Sequence, residues 1–178
     1  MLKNKVIIEK NNHKFSLGTI IFTSIFTIAF LIQIVMMLTI YNILGITFLV
    51  YIGWIVWLFS LYFGLIPFRT FKKRGGVEKG KSYVYTNKLV KDGPYAIIRH
   101  PQYLGGILFT ISITLWTQVW LSLVLSIIII VLTYQWTYSE DKKLIEKFGE
   151  DYKTYKEKVP RLNPILGVIK YFSQKMDG

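Results

Sequence analysis

The sequence predicts an all-α, polytopic membrane protein with about four transmembrane helices and cytoplasmic C-terminal amphipathic helices. Three observations carry that prediction. Lys14 and Arg69 bracket 54 consecutive uncharged residues, and Pro101 to Ser139 adds a second run of 39. One crossing of a hydrocarbon core takes roughly 20 residues, so each run holds two. The positive charge is asymmetric: four Lys in the N-terminal arm, nine Lys/Arg between Arg69 and Arg99, nine more after Ser139, and none near Asn42 or Thr117. That places the termini and the middle segment on the cytoplasmic side, which requires an even number of spans.

The first two spans are expected over residues 15–40 and 46–68, the next two over residues 103–116 and 120–138. The short break between the last two lies at Thr117-Gln118, between Trp116 and Trp120. The first apolar run is too long for a cleaved leader and is followed closely by another, so it is expected to stay as an anchor. The chain has no cysteine and two histidines, His13 and His100, which argues against disulfides, thiolate nucleophiles and a His- or Cys-based metal site. The net charge of +12 sits beside membrane spans rather than on a separate basic face, which favours anionic head groups over nucleic acid.

The cytoplasmic loop, residues 69–102, opens with Lys72-Lys73-Arg74 ahead of Gly75-Gly76. These cations suit a helix C-terminus at a membrane surface. Gly80-Lys81 is a weak ligand candidate, and Tyr83 to Val90 alternates loosely. Asp92-Gly93-Pro94 supplies a turn. Arg99-His100 then stands where the chain leaves water. Pro101 suits the first position of a helix, turns His100 away from the axis, and leaves the amides of Gln102, Tyr103 and Leu104 free for a carboxylate or phosphate. Gly105-Gly106 allows close approach by a backbone or a ligand.

The cytoplasmic tail, residues 139–178, has apolar residues at three- and four-residue steps up to Pro160, the mark of an amphipathic helix. It is expected to continue from the fourth span, setting Glu140 and Asp141 at the depth of His100. The stretch from Ile165 to Phe172 is expected on the bilayer surface.

Together these residues resemble the isoprenylcysteine carboxyl methyltransferase and phospholipid methyltransferase superfamily of integral membrane enzymes. The marks are Leu89-Val90 before Gly93-x-Tyr95, Arg99-His100-Pro101-x-Tyr103-x-Gly105, the acidic pair Glu140-Asp141 with Leu144, Phe148-Gly149-x-x-Tyr152-x-x-Tyr155, and Val159-Pro160-Arg161. The resemblance covers Leu89 to Pro164 and implies one membrane-embedded methyltransferase domain over residues 1–178. It implies S-adenosylmethionine as cofactor, held by Lys88, Leu89, Val90, Tyr95, His100, Pro101, Gln102, Tyr103 and Glu140. Arg99, His100 and Glu140 are the catalytic candidates, and Arg99, Trp136, Asp141 and Arg161 the substrate-binding ones.

The chain departs from the family pattern twice. The usual Glu-Glu pair is Glu140-Asp141, and Trp136 stands where prenylcysteine methyltransferases carry an Arg for the substrate carboxylate. The expected reaction is methylation of a lipophilic acceptor, first a carboxylate such as a prenylcysteine-like group. The alternatives are phospholipid N-methylation, an NADPH-binding relative of sterol reductases, and a non-catalytic membrane adaptor. The expected partners are the lipophilic acceptor and membrane lipids, with neither nucleic acid nor metal.

Overall fold

A computed structural model describes residues 17–76 and 88–176. The N-terminal arm with His13, and the readings made for Gly80-Lys81 and for Tyr83 onward as far as residue 87, lie outside the described residues. Within the described residues the structure is all-helical: α1 (Leu17–Thr39), α2 (Thr47–Arg74), α3 (Pro94–Ile97), α4 (Pro101–Thr117), α5 (Trp120–Phe148), α6 (Glu150–Lys158) and α7 (Pro164–Met176).

Helices α1, α2 and α5 are each long and apolar enough to cross a membrane. Their outward faces carry large apolar side chains in the open, among them Leu31, Leu58 and Ile127. So many exposed apolar residues suit acyl chains and not water. With 17 residues, α4 is about 26 Å long, somewhat less than the roughly 30 Å of a hydrocarbon core. Eight of its residues are buried, one face being pressed onto α2. A Cβ built on Gly105 would lie 2.7 Å from the Gly64 backbone nitrogen, and the Gly105 carbonyl accepts a bond from the Ser60 hydroxyl at 2.9 Å. The expected close approach at Gly105 is thus between two helix backbones.

Helix α1 is held by a buried polar cluster in the bundle. The Gln33 amide nitrogen donates to the Ser126 hydroxyl at 2.8 Å and the Ser122 carbonyl at 3.0 Å, and Thr110 donates to its oxygen. In a medium without water such a group needs partners, so Gln33 fixes α1 against α4 and α5. Ala29, Met36, Leu125 and Ile129 pack around it.

At the end of the bundle away from Arg99, Gln118 takes the left-handed conformation (φ 55°) that breaks α4 from α5. Its side chain accepts from the Ile46 amide at 3.1 Å and donates to the Ile46 carbonyl at 2.9 Å, clasping the two turns together.

Two boundaries differ from expectation. Helix α2 continues past Phe68 to Arg74 in spite of Pro67, carrying Arg69 and Lys72-Lys73-Arg74 out of the apolar run. Helix α5 continues past Tyr138 to Phe148, as the pattern suggested, but Gly149 (φ 59°) ends it, so the amphipathic stretch is two helices. With ψ at −132° this is a conformation that only glycine adopts without strain, and α6 turns back toward α3.

Candidate active site

The site is assembled where the chain enters α4. Gly93 takes φ 61° and Pro94 starts the single turn of α3, so Tyr95 and Arg99 face inward and are buried. Arg74 and Asp92, both more than half exposed, pair at 2.8 Å across the mouth of this turn. The Arg99 and His100 amides then donate to the carbonyls of Pro160 and Arg161 at 3.0 and 3.2 Å. This short ladder brings Val159-Pro160-Arg161, far away in sequence, beside the start of α4.

Asp141, one of the most buried polar residues, is the junction of the charges. Its Oδ1 lies 2.8 Å from His100 Nε2 and accepts the Tyr152 hydroxyl at 2.5 Å. Its Oδ2 accepts Arg161 Nε and Nη2 at 3.1 and 3.0 Å, with Arg99 Nη2 at 3.4 Å. Arg161 also stacks on Tyr138, its guanidinium carbon 3.5 Å from the ring centre. Burial and the adjacent carboxylate push the Tyr152 phenol well above its ordinary pKa, so it stays a neutral donor. Tyr155 is raised chiefly by burial, and its hydroxyl donates to the Tyr95 carbonyl at 2.6 Å. The carboxylate expected to face a substrate is taken up by the protein's own groups, and so are the two guanidiniums expected to bind one.

His100 precedes Pro101 with φ −124° and ψ 61°, outside the helix, and its ring swings onto Asp141. The amide of Leu104, expected to be free, instead donates to the His100 carbonyl at 3.2 Å, because α4 closes its first turn there. Beside His100 lies a cavity of about 170 Å³. All nine residues expected to hold the cofactor line it: Lys88, Leu89, Val90, Tyr95, His100, Pro101, Gln102, Tyr103 and Glu140. Arg99 lines it too. Phe71, Leu144, Phe148, Tyr152 and Tyr155 complete the wall; the last four belong to the quoted motifs without having been given a role. Glu140 holds Lys143 at 2.8 Å at the rim. Arg99 Nε and Gln102 Nε2 are buried and meet no hydrogen-bond partner among the described residues.

A second cavity, of about 320 Å³, lies deeper between α1, α4 and α5. It is walled by Phe22, Phe26 and Phe30 on one side and by Gly106, Ile129 and Trp136 on the other. Trp136, expected at the substrate, stands here, packed on Phe22 at 5.2 Å. Gln102 and Tyr103 line both cavities, so the polar and the apolar space meet at them. Gly106 leaves open room on this side, while its neighbour Gly105 is in contact with α2. Asp141 and Arg161 line neither cavity.

The family model described as phospholipid methyltransferase matches residues 21–151, from within α1 to the start of α6. The chain belongs to that family. It is also 35% identical over 100 residues to protein-S-isoprenylcysteine O-methyltransferase from Homo sapiens and to the Mus musculus protein of the same name, covering 53% of this chain. The chain spans about a third of the length of these curated relatives, 33% in each case. No solved structure gives a significant match. Among the described residues no group of three or more His, Cys, Asp or Glu is placed to hold a metal ion.

Proposed function

We propose that this protein is an integral membrane methyltransferase that uses S-adenosylmethionine to methylate a nucleophile carried by a lipophilic molecule. The observation that carries this reading is the meeting of two unlike cavities at Gln102 and Tyr103. A charged, water-soluble donor and an apolar acceptor need separate entrances and a shared reacting point.

The polar cavity fits the donor. Arg99 Nε is a buried donor without a partner among the described residues, suited to the donor's carboxylate, and Glu140 at the rim suits an ammonium or ribose hydroxyls. When bound, S-adenosylmethionine supplies a methyl carbon on a cationic sulfur, for which no metal or covalent protein intermediate is needed. The chain itself has to align the reactants and exclude water. His100 presents one face of its ring to the donor cavity while Asp141 fixes its other end, and Tyr103 stands edge-on to it with ring centres 5.7 Å apart. Asp141, Arg161 and Tyr152 position His100 and Arg99 without lining the reacting point, apart from the Tyr152 ring.

The apolar cavity fits the acceptor. Its walls come from membrane-spanning helices, so a lipid tail enters sideways while the head reaches Gln102. In this reading α4 is a fourth crossing, the spans and loops form one methyltransferase domain, and the site faces the cytoplasmic leaflet, as the lysine and arginine distribution implies. Adding S-adenosylmethionine and NADPH separately to the purified protein tests the proposal. Thermal stabilisation by the first alone supports it, and stabilisation by NADPH alone or by neither refutes it. Incubation with labelled donor and a total lipid extract would then reveal the acceptor.

A further inference from the structure

Building on that reading, we infer that Gln102 is the group that recognises the acceptor's head, and that it selects an uncharged head, a hydroxyl or amine, over a carboxylate. The sequence pattern favours a carboxylate, whereas the throat between the cavities is built for a neutral group.

No charged side chain among the described residues lines the apolar cavity. The nearest cations stand outside it, and Arg99 lines only the polar cavity. Arg161 is bound to Asp141 through two nitrogens and covered by Tyr138, and Arg99 is paired with Asp141 and donates to the Lys156 carbonyl at 3.3 Å. Lys143 is held by Glu140 at 2.8 Å and reaches the cavity only across the Trp136 ring, 5.8 Å from its centre. A carboxylate drawn into this space would lose its water and find no guanidinium or ammonium fixed by the protein.

Neutral polar groups do stand at the throat. Gln102 and Tyr103 line both cavities, and the Gln102 primary amide carries a buried nitrogen with no hydrogen-bond partner among the described residues. An amide both donates and accepts, so it matches a head that does the same. A hydroxyl oxygen taking the Gln102 N–H keeps a lone pair for the methyl carbon. An amine gives its N–H to the amide oxygen, and the apolar surroundings favour its uncharged form. In the transfer the acceptor's lone pair forms the new bond to carbon, the carbon–sulfur bond breaks, and sulfur keeps those electrons as a neutral thioether. The acceptor's proton leaves to the Glu140 carboxylate at the rim of the adjoining polar cavity.

Three farnesyl thioethers that share one tail and end in a primary alcohol, a primary amine or a carboxylate provide the test. Their affinities are measured on the full chain in lipid nanodiscs without methyl donor, by calorimetry, and their methylation with labelled donor. The alcohol or the amine should bind at least about tenfold more tightly than the carboxylate, as loss of one charge-matching partner implies. Gln102→Leu should erase that preference, and Trp136→Arg, which restores a cation to the cavity wall, should turn it toward the carboxylate. A wild-type protein that binds the carboxylate as well as or better than the others overturns the inference, as does a Gln102→Leu protein with an unchanged preference. Calorimetry with S-adenosylmethionine alone keeps the two readings apart: its failure to bind removes the methyltransferase reading, whereas binding together with carboxylate preference removes only this one.

Discussion

The two cavities differ in how they are built. The polar one is made by loops and helix ends, where each residue meets a particular backbone requirement, with Gly93 at positive φ, Pro101 at a helix start and Gly149 at a helix end. The apolar one is made by the sides of helices, where any large apolar residue would suit lipid as well. Specific turn chemistry fixes geometry and is written in residue identity, whereas a lipid-like wall fixes only volume. The first kind of site is therefore stiff and intolerant of change, and the second adjustable.

Substitutions can break that comparison. The largest effect is expected at Asp141. Asp141→Ala leaves buried Arg99 without its counter-charge and His100 without its hydrogen-bond partner, and should cost about 3–5 kcal/mol, together with donor binding. Thermal unfolding in detergent would measure this, and a change in melting temperature of less than about 2 °C would mean that the polar site is less rigidly held than described. Next comes His100→Ala, which removes a buried group bonded to a charge, about 2 kcal/mol, or roughly 30-fold in S-adenosylmethionine affinity. Unchanged affinity in a calorimetric titration would place the donor elsewhere.

Smaller effects should separate the two regions. Gly106→Leu fills open space in the apolar cavity and should raise the acceptor's KM about tenfold, while the donor's affinity stays within about twofold. If both constants moved together, the cavities would not be independent. Gly105→Ala, one residue away, meets the α2 backbone and should instead lower stability by about 1–3 kcal/mol, read as a melting shift. Tyr152→Phe removes one hydrogen bond to Asp141 and should be the mildest, about 1 kcal/mol.

The sequence was legible where backbone chemistry was specific. The helix starting at Pro101, the turn at Gly93, the continuation of α5 and nine of the residues that line the polar cavity were visible in it, the last through the resemblance. The wall supplied by α1 was not, because Phe22, Phe26 and Phe30 look like ordinary lipid-facing residues. Their four-residue spacing, with Thr23 and Thr27 alongside, was the available signal. Nor did the sequence reveal that Asp141 gathers both arginines, His100 and Tyr152, since those contacts join residues 11 to 42 positions apart and depend on α6 folding back.

Trp136, Glu140, Leu144 and Phe148 recur every fourth residue along one unbroken rod, the first in the deep cavity and the other three in the shallow one. Asp141 lies on an adjoining flank. Because each residue of an α-helix advances the azimuth by about 100°, deleting one amino acid between Trp136 and Glu140 would turn the two compartments out of phase while leaving every motif intact. Spacing along this rod, as much as side-chain chemistry, therefore acts as the ruler that keeps the two cavities in phase.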